Sequence, residues 1–129
     1  SNTMALTIDN TARQAALNGI TALLAGGDFQ LLATSTELAA LPFQTSGGAF
    51  ANASSASPST AVSTAIGSDT SVTPGTINTF KLRNAGGTAI ITGSVGTSGA
   101  DLNVTDNVIP SGATSVSCPG GLTLSLQLS

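Results

Sequence analysis

Thr76-Ile77-Asn78-Thr79-Phe80-Lys81-Leu82-Arg83-Asn84-Ala85-Gly86-Gly87-Thr88-Ala89-Ile90-Ile91-Thr92-Gly93-Ser94-Val95 decides the fold class. Its first eight residues alternate, with Asn78, Phe80 and Leu82 on one side and Ile77, Thr79, Lys81 and Arg83 on the other. Period two is the signature of a strand with one face toward a core, here Phe80 and Leu82. Asn84-Ala85-Gly86-Gly87 then supplies the positive φ values of a tight connection, and β-branched residues resume at Thr88, so the stretch predicts a β-hairpin.

The same pattern runs outward in both directions from Pro58 to the C-terminus. Thr60 to Gly67 reads as a strand and Asp69 to Gly75 as a turn-rich connection. Beyond the hairpin, Ala100 to Val104, Val108-Ile109, Ala113 to Cys118 and Leu122 to Leu128 read as short strands, separated by Gly96-Thr97-Ser98-Gly99, Asp106-Asn107 and Pro110-Ser111-Gly112. In the last strand Leu122, Leu124, Leu126 and Leu128 alternate strictly with Thr123, Ser125 and Gln127. Roughly seven short strands with turns every 8–12 residues predict a mainly β fold, an antiparallel β-sandwich. Jelly-roll and Ig-like topologies both fit, and the jelly-roll is preferred.

Toward the N-terminus the period changes. Ile8, Ala12, Ala16, Ile20 and Leu24 form an i, i+4 row widened by Leu17 and Leu23, between a cap among Asp9, Asn10 and Thr11 and the stop signal Gly26-Gly27. One amphipathic helix over about 9–25 follows, packed on its own domain or on a partner. Phe29 to Thr34 predicts a strand, and Glu37 to Phe43 suits a strand or a helical turn. Gln44 to Pro58 is Ser, Ala and Gly with Phe50 as its one large apolar residue. It is expected to be a flexible loop or a partner-ordered arm, because so little burial offsets little backbone entropy.

Length and composition bound the rest. At 129 residues a single domain buries roughly two-thirds of its unfolded surface and needs no metal or disulfide to fold. Residues 4–129 are read as that domain, with Ser1-Asn2-Thr3 before Met4 resembling a cloning remnant and no leader or membrane span preceding it. Asp, Glu, Lys and Arg make up 7% of the chain, against about 25% in ordinary soluble domains. Such a surface of hydroxyls and amides suits packing against neighbours. Three cations, Arg13, Lys81 and Arg83, give no footprint for a phosphate backbone, so no nucleic-acid partner is expected.

Chemistry is constrained as tightly. Without histidine, neither a Ser-His-Asp triad nor a Cys-His pair can be built. Cys118, the single cysteine, cannot form an internal disulfide or an ordinary zinc site, and is read as a small buried hydrophobe. Its alternative is an intermolecular or reactive thiol. The acids Asp9, Asp28, Glu37, Asp69, Asp101 and Asp106 are scattered through turns and caps. Asp101 and Asp106, with Asn103 and Asn107, are either turn stabilisers or calcium ligands, though they lack the spacing of a loop site. Gly93-Ser94-Val95-Gly96-Thr97-Ser98-Gly99 lacks the lysine and the following helix of a phosphate loop. Lys81 and Arg83 share a strand face as a solvated or edge-protecting pair, or as a seat for a partner's carboxylate. With no Trp or Tyr, stacking platforms for sugars are missing. No catalytic, cofactor or metal residues are assigned, and the chain is expected not to be an enzyme.

Thr79-Phe80-Lys81-Leu82-Arg83-Asn84-Ala85-Gly86-Gly87-Thr88-Ala89 and Gly93-Ser94-Val95-Gly96-Thr97-Ser98-Gly99-Ala100-Asp101-Leu102 resemble segments of small virion proteins of tailed bacteriophages. Thr11 to Leu17 and Ser115 to Leu128 fit the opening helix and closing strands of that family, whereas Leu31 to Thr76 departs from it. The resemblance implies a capsid decoration or cement protein, located in the virion after assembly in the host cytoplasm. Its expected partners are further copies of itself and the major capsid protein or another virion protein. A tail, neck or fibre-associated binding module is the alternative.

Overall fold

The computed structural model describes residues 2–128; Ser1, part of the expected cloning remnant, and Ser129 lie outside the described residues. Helix α1 spans Asn10–Ala22, and the Asp9 carboxylate accepts the Ala12 N–H at 2.7 Å as its N-cap. Capping of this kind satisfies one of the amides that the first turn leaves open. Gly26, at φ 74°, lies just beyond the helix end. The buried row is Arg13, Leu17 and Thr21, continued by Leu24. Of the expected row, Leu17 and Leu24 are buried, but the rest is corrected: Ala12 and Leu23 are exposed and Ile8, Ala16 and Ile20 are half-buried, while Arg13 and Thr21 take their place. Arg13 explains the rotation. Its guanidinium is 4% exposed yet donates to the carbonyls of Ile8, Ala56, Gln127 and Leu128 and to Asn10 Oδ1. A charge satisfied this fully can be turned inward.

Nine strands follow: β1 (Asp28–Ala33), β2 (Thr36–Pro42), β3 (Ser59–Val62), β4 (Gly75–Thr76), β5 (Thr79–Arg83), β6 (Ala89–Gly96), β7 (Leu102–Asn103), β8 (Val108–Ile109) and β9 (Thr123–Leu126). The fold is mainly β with one helix. A five-stranded sheet runs β2-β1-β5-β6-β7, and β3-β9 and β4-β8 form separate ribbons. Glu37 to Phe43, open to two readings in the sequence, forms strand β2. The β5–β6 hairpin falls on the predicted turn, with the Asn84 N–H donating to Thr88 O and the Gly87 N–H to Asn84 O. Phe29, Leu31, Leu41, Leu82 and Val95 belong to one core cluster that also takes in Leu17 and Leu24 of the helical layer. Phe80 packs edge-on against Phe29, with centroids 6.2 Å apart.

Several expected strands are shorter than the alternation suggests. Thr76 to Arg83 breaks into β4 and β5 because Asn107 engages Ile77 twice, its carbonyl accepting the Ile77 N–H and its amide donating to the Ile77 carbonyl. Ala113 to Cys118 contributes one bridge, Val116 to Asp69. The sheet is mixed, not purely antiparallel, since β6 and β7 pair in parallel. Asp101 makes so short a parallel return feasible: its carboxylate accepts the Ser94 N–H and its own N–H donates to Ser94 Oγ.

Segment 44–58 is a loop, mostly exposed, but three of its residues depart from the low burial expected of it. Ala49, Phe50 and Ala53 are buried, and Phe50 stacks at a tilt on Phe43, 5.8 Å between centroids. The missing stabilisation comes from two neighbours. Gln14 and Asn18 of α1 grip the Ala53 backbone carbonyl and N–H, and Ala51 and Ser54 donate to the Val62 and Thr60 carbonyls along the outer edge of β3.

Candidate functional site

Charge on this chain is spent on structure. Arg83 on β5 faces Asp28 on β1 in register, and its guanidinium holds the Asp28 carboxylate through two bonds of 2.7 and 2.6 Å. Glu37 joins at 3.3 Å and also accepts from Gln30. The Arg83 pKa lies above its ordinary value, first through the hydrogen bonds to Asp28, against a smaller opposing effect of burial. Arg83 is thus not an edge guard: β5 is the central strand of its sheet, and the carboxylate it meets is the chain's own. Lys81 shares that face at the register position of Gln30.

Asp28 and Glu37 are the two carboxylates that the fold brings onto one cation. Each remaining acid binds local backbone. Asp69 accepts the N–H groups of Ala40 and Ser71, Asp101 that of Ser94, Asp106 that of Val108, and Asp9 caps α1. Asn103 accepts from Ala100 and Asn107 is committed to Ile77. Of the four residues weighed as calcium ligands, Asn103 and Asp106 bind the backbone of their own turns, and Asp101 and Asn107 tie neighbouring segments together. Among the described residues no group of three or more His, Cys, Asp or Glu could hold a metal ion, and no helix is long and apolar enough to cross a membrane.

What remains for contact with other molecules is apolar and hydroxylic surface. Met4, Leu6, Leu23, Val62, Val108 and Leu128 stand exposed. A cleft of about 530 Å³ opens between the sheet and the C-terminal layer, walled by Phe29, Leu31, Val95, Leu102 and Leu122, with Asn103 and Asp106 among its polar lining residues. Cys118, half-buried, lies on the same wall, and burial pushes its thiol pKa up. A thiol so placed is a poorer nucleophile at neutral pH than a free one, in keeping with its reading as a small hydrophobe.

The sheet edges differ in how they are closed. On β2 the Leu38 and Pro42 carbonyls accept from Thr73 and Gly67, and Asp69 takes the Ala40 N–H. Between β5 and β6 the register skips Ile90, a bulge in the ladder, and the outer strand on that side is the two-residue β7. On β9 the N–H of Ser63 donates to the Leu122 carbonyl at 2.8 Å. That bond sets the phase of the β3–β9 ladder, so the amides and carbonyls of Thr123 and Ser125 point away from β3. Among the described residues nothing pairs with them.

No family model, curated protein or solved structure matches the chain. The Arg13 clamp and the Asp69 edge cap escaped sequence reading. Arg13 had one available signal, its place four residues before Leu17 and eight before Thr21 on a single helix face; Asp69 had none.

Proposed function

We propose that this chain is a non-enzymatic structural protein of a bacteriophage particle, a capsid decoration or cement protein that holds a shell together by protein–protein contacts. The observation that carries the proposal is the division of labour on its surface. All six acids accept hydrogen bonds within the chain and two of the three cations are locked in place, while large apolar side chains such as Met4 and Leu6 stand outside. A protein built to stay apart from its neighbours keeps charge outward and apolar area inward. In the same proposal the five-stranded sheet and the β3–β9 ribbon are two halves of a jelly-roll-like sandwich whose open side is covered on assembly. The virion is its site of action, and the major capsid protein and further copies of the chain are its partners.

The apolar cleft favours a second reading, a tail, neck or fibre-associated binding module that receives a ligand there. Sedimentation velocity on the full chain, with and without purified capsid shells, separates the two. The decoration reading expects a defined oligomer or co-sedimentation with shells. A strict monomer indifferent to shells defeats it and leaves the binding module.

A further inference from the structure

We propose that copies of this chain associate by exchanging their N-terminal arms, Met4 to Ile8 of one copy adding as a strand to the open edge of β9 in another. The proposal deepens the assembly reading and rests on it. Three observations meet at this edge.

First, β9 is open in its backbone and unguarded. Thr123 and Ser125 direct their N–H and C=O groups outward, and the strand has no lysine, proline or bulge. Edges of this kind recruit another strand unless something blocks them. The β2 edge is capped by 67–73 and the β5–β6 ladder carries a bulge, whereas β9 has neither. Second, its apolar face is incompletely covered. Leu122, Leu124 and Leu126 pack on the core yet remain half-buried, leaving room for side chains from an added strand.

Third, the chain carries a segment with the matching pattern. Met4, Leu6 and Ile8 alternate with Ala5 and Thr7, the stretch has no charge and no regular secondary structure, and Met4 and Leu6 are 74% and 60% exposed. Five extended residues span about 16 Å, enough to run along a four-residue strand. Alternate side chains would then meet the leucine face while the arm's backbone pairs with Thr123 and Ser125, the arrangement of β-strand addition.

The root of the arm decides whose edge is used. Arg13 holds the Ile8 carbonyl and the Gln127 carbonyl together, which fixes the arm's base at the end of its own β9. From there the arm could reach its own strand only in parallel, the weaker pairing, and in the single chain it lies off that edge with both large side chains in solvent. A second copy can present its arm antiparallel, and two copies can do so reciprocally.

The test uses the full chain. Light scattering over a concentration series should show association, and Leu6→Asp should raise the concentration needed by at least tenfold with an unchanged Tm. Ser125→Pro removes the outward N–H without touching the β3 ladder and should do the same; if it fails to fold, Leu6→Asp still decides. Isotope-filtered NMR on a mixture of labelled and unlabelled copies should give contacts between the Met4 and Leu6 methyls of one copy and Leu124 or Leu126 of another. Association indifferent to Leu6→Asp overturns arm exchange while sparing the assembly reading. A monomer at every concentration overturns both, and contacts confined within one copy place the arm on its own edge and overturn the exchange.

Discussion

At the scale of single residues, stability concentrates in polar clasps. Arg13 is the strongest case, a buried guanidinium tying the start of α1 to the 54–58 turn and to the end of β9. Arg13→Ala removes a buried side chain and its bonds to the part-buried carbonyls of Ile8, Ala56 and Gln127, and should cost about 3 kcal/mol in urea unfolding. Arg13→Lys should recover only part of that, because an ammonium lacks the planar fork that reaches several acceptors at once. Cys118 gives a pH-dependent counterpart. Its thiol pKa is raised in the fold by burial, so its contribution is fully present below the ordinary thiol value and lost as pH rises through the folded one. Wild type should therefore lose stability on the alkaline side more steeply than Cys118→Ala in denaturation curves taken at successive pH values. Residue types and counts made the lack of histidine chemistry legible from the start. Which oxygen Arg13 would find was not legible, since its acceptors lie up to 115 positions away, as Leu128 does.

At the scale of elements, alternation identified strands well and their lengths poorly. The β5–β6 hairpin was readable because its turn residues and its two periodic arms are contiguous. The break at Ile77–Asn78 was not, since it arises from Asn107 reaching across from elsewhere. In segment 44–58 the buried Ala49, Phe50 and Ala53 were not legible for a related reason: their partners come from α1 and β3. Asn18→Ala removes the acceptor for the Ala53 N–H and the donor to Asn52. Amide exchange at 51–54 should then accelerate at least tenfold while exchange in β1 and β5 stays slow, a local opening rather than global unfolding. Gly93 marks a second dependence between elements. A methyl group there would come within 2.5 Å of the Phe80 ring, so Gly93→Ala should destabilise by about 1–3 kcal/mol. Gly93→Ala combined with Phe80→Leu should regain part of the loss, because the two residues sit opposite each other across β5 and β6.

At the scale of the whole molecule, the consequence of charge that is hydrogen-bonded within the chain reaches association itself. Contacts steered by surface ions weaken as salt screens them, over about 8 Å at physiological ionic strength. Here the acids and Arg13 and Arg83 already have partners within the chain, and the side chains proposed for contact are the exposed Met4 and Leu6 and the half-buried leucines of the β9 face. Burial of apolar area does not need fields that salt can screen, and excluded salts such as sulfate strengthen it. Self-association should therefore change less than twofold between low and physiological sodium chloride, and should tighten in ammonium sulfate. It should also carry a negative heat-capacity change, measurable by dilution calorimetry at several temperatures. An association that dissolves as sodium chloride rises would assign the contact to Lys81, the cation side chain left outside the network among the described residues, and would move the interface from β9 to the face of the five-stranded sheet that carries it. The two faces are opposite in chemistry, one a leucine row on an open edge and the other a lysine beside an Asp28–Arg83–Glu37 cluster. Salt dependence alone can therefore tell which of them meets a neighbour, before any contact has been mapped.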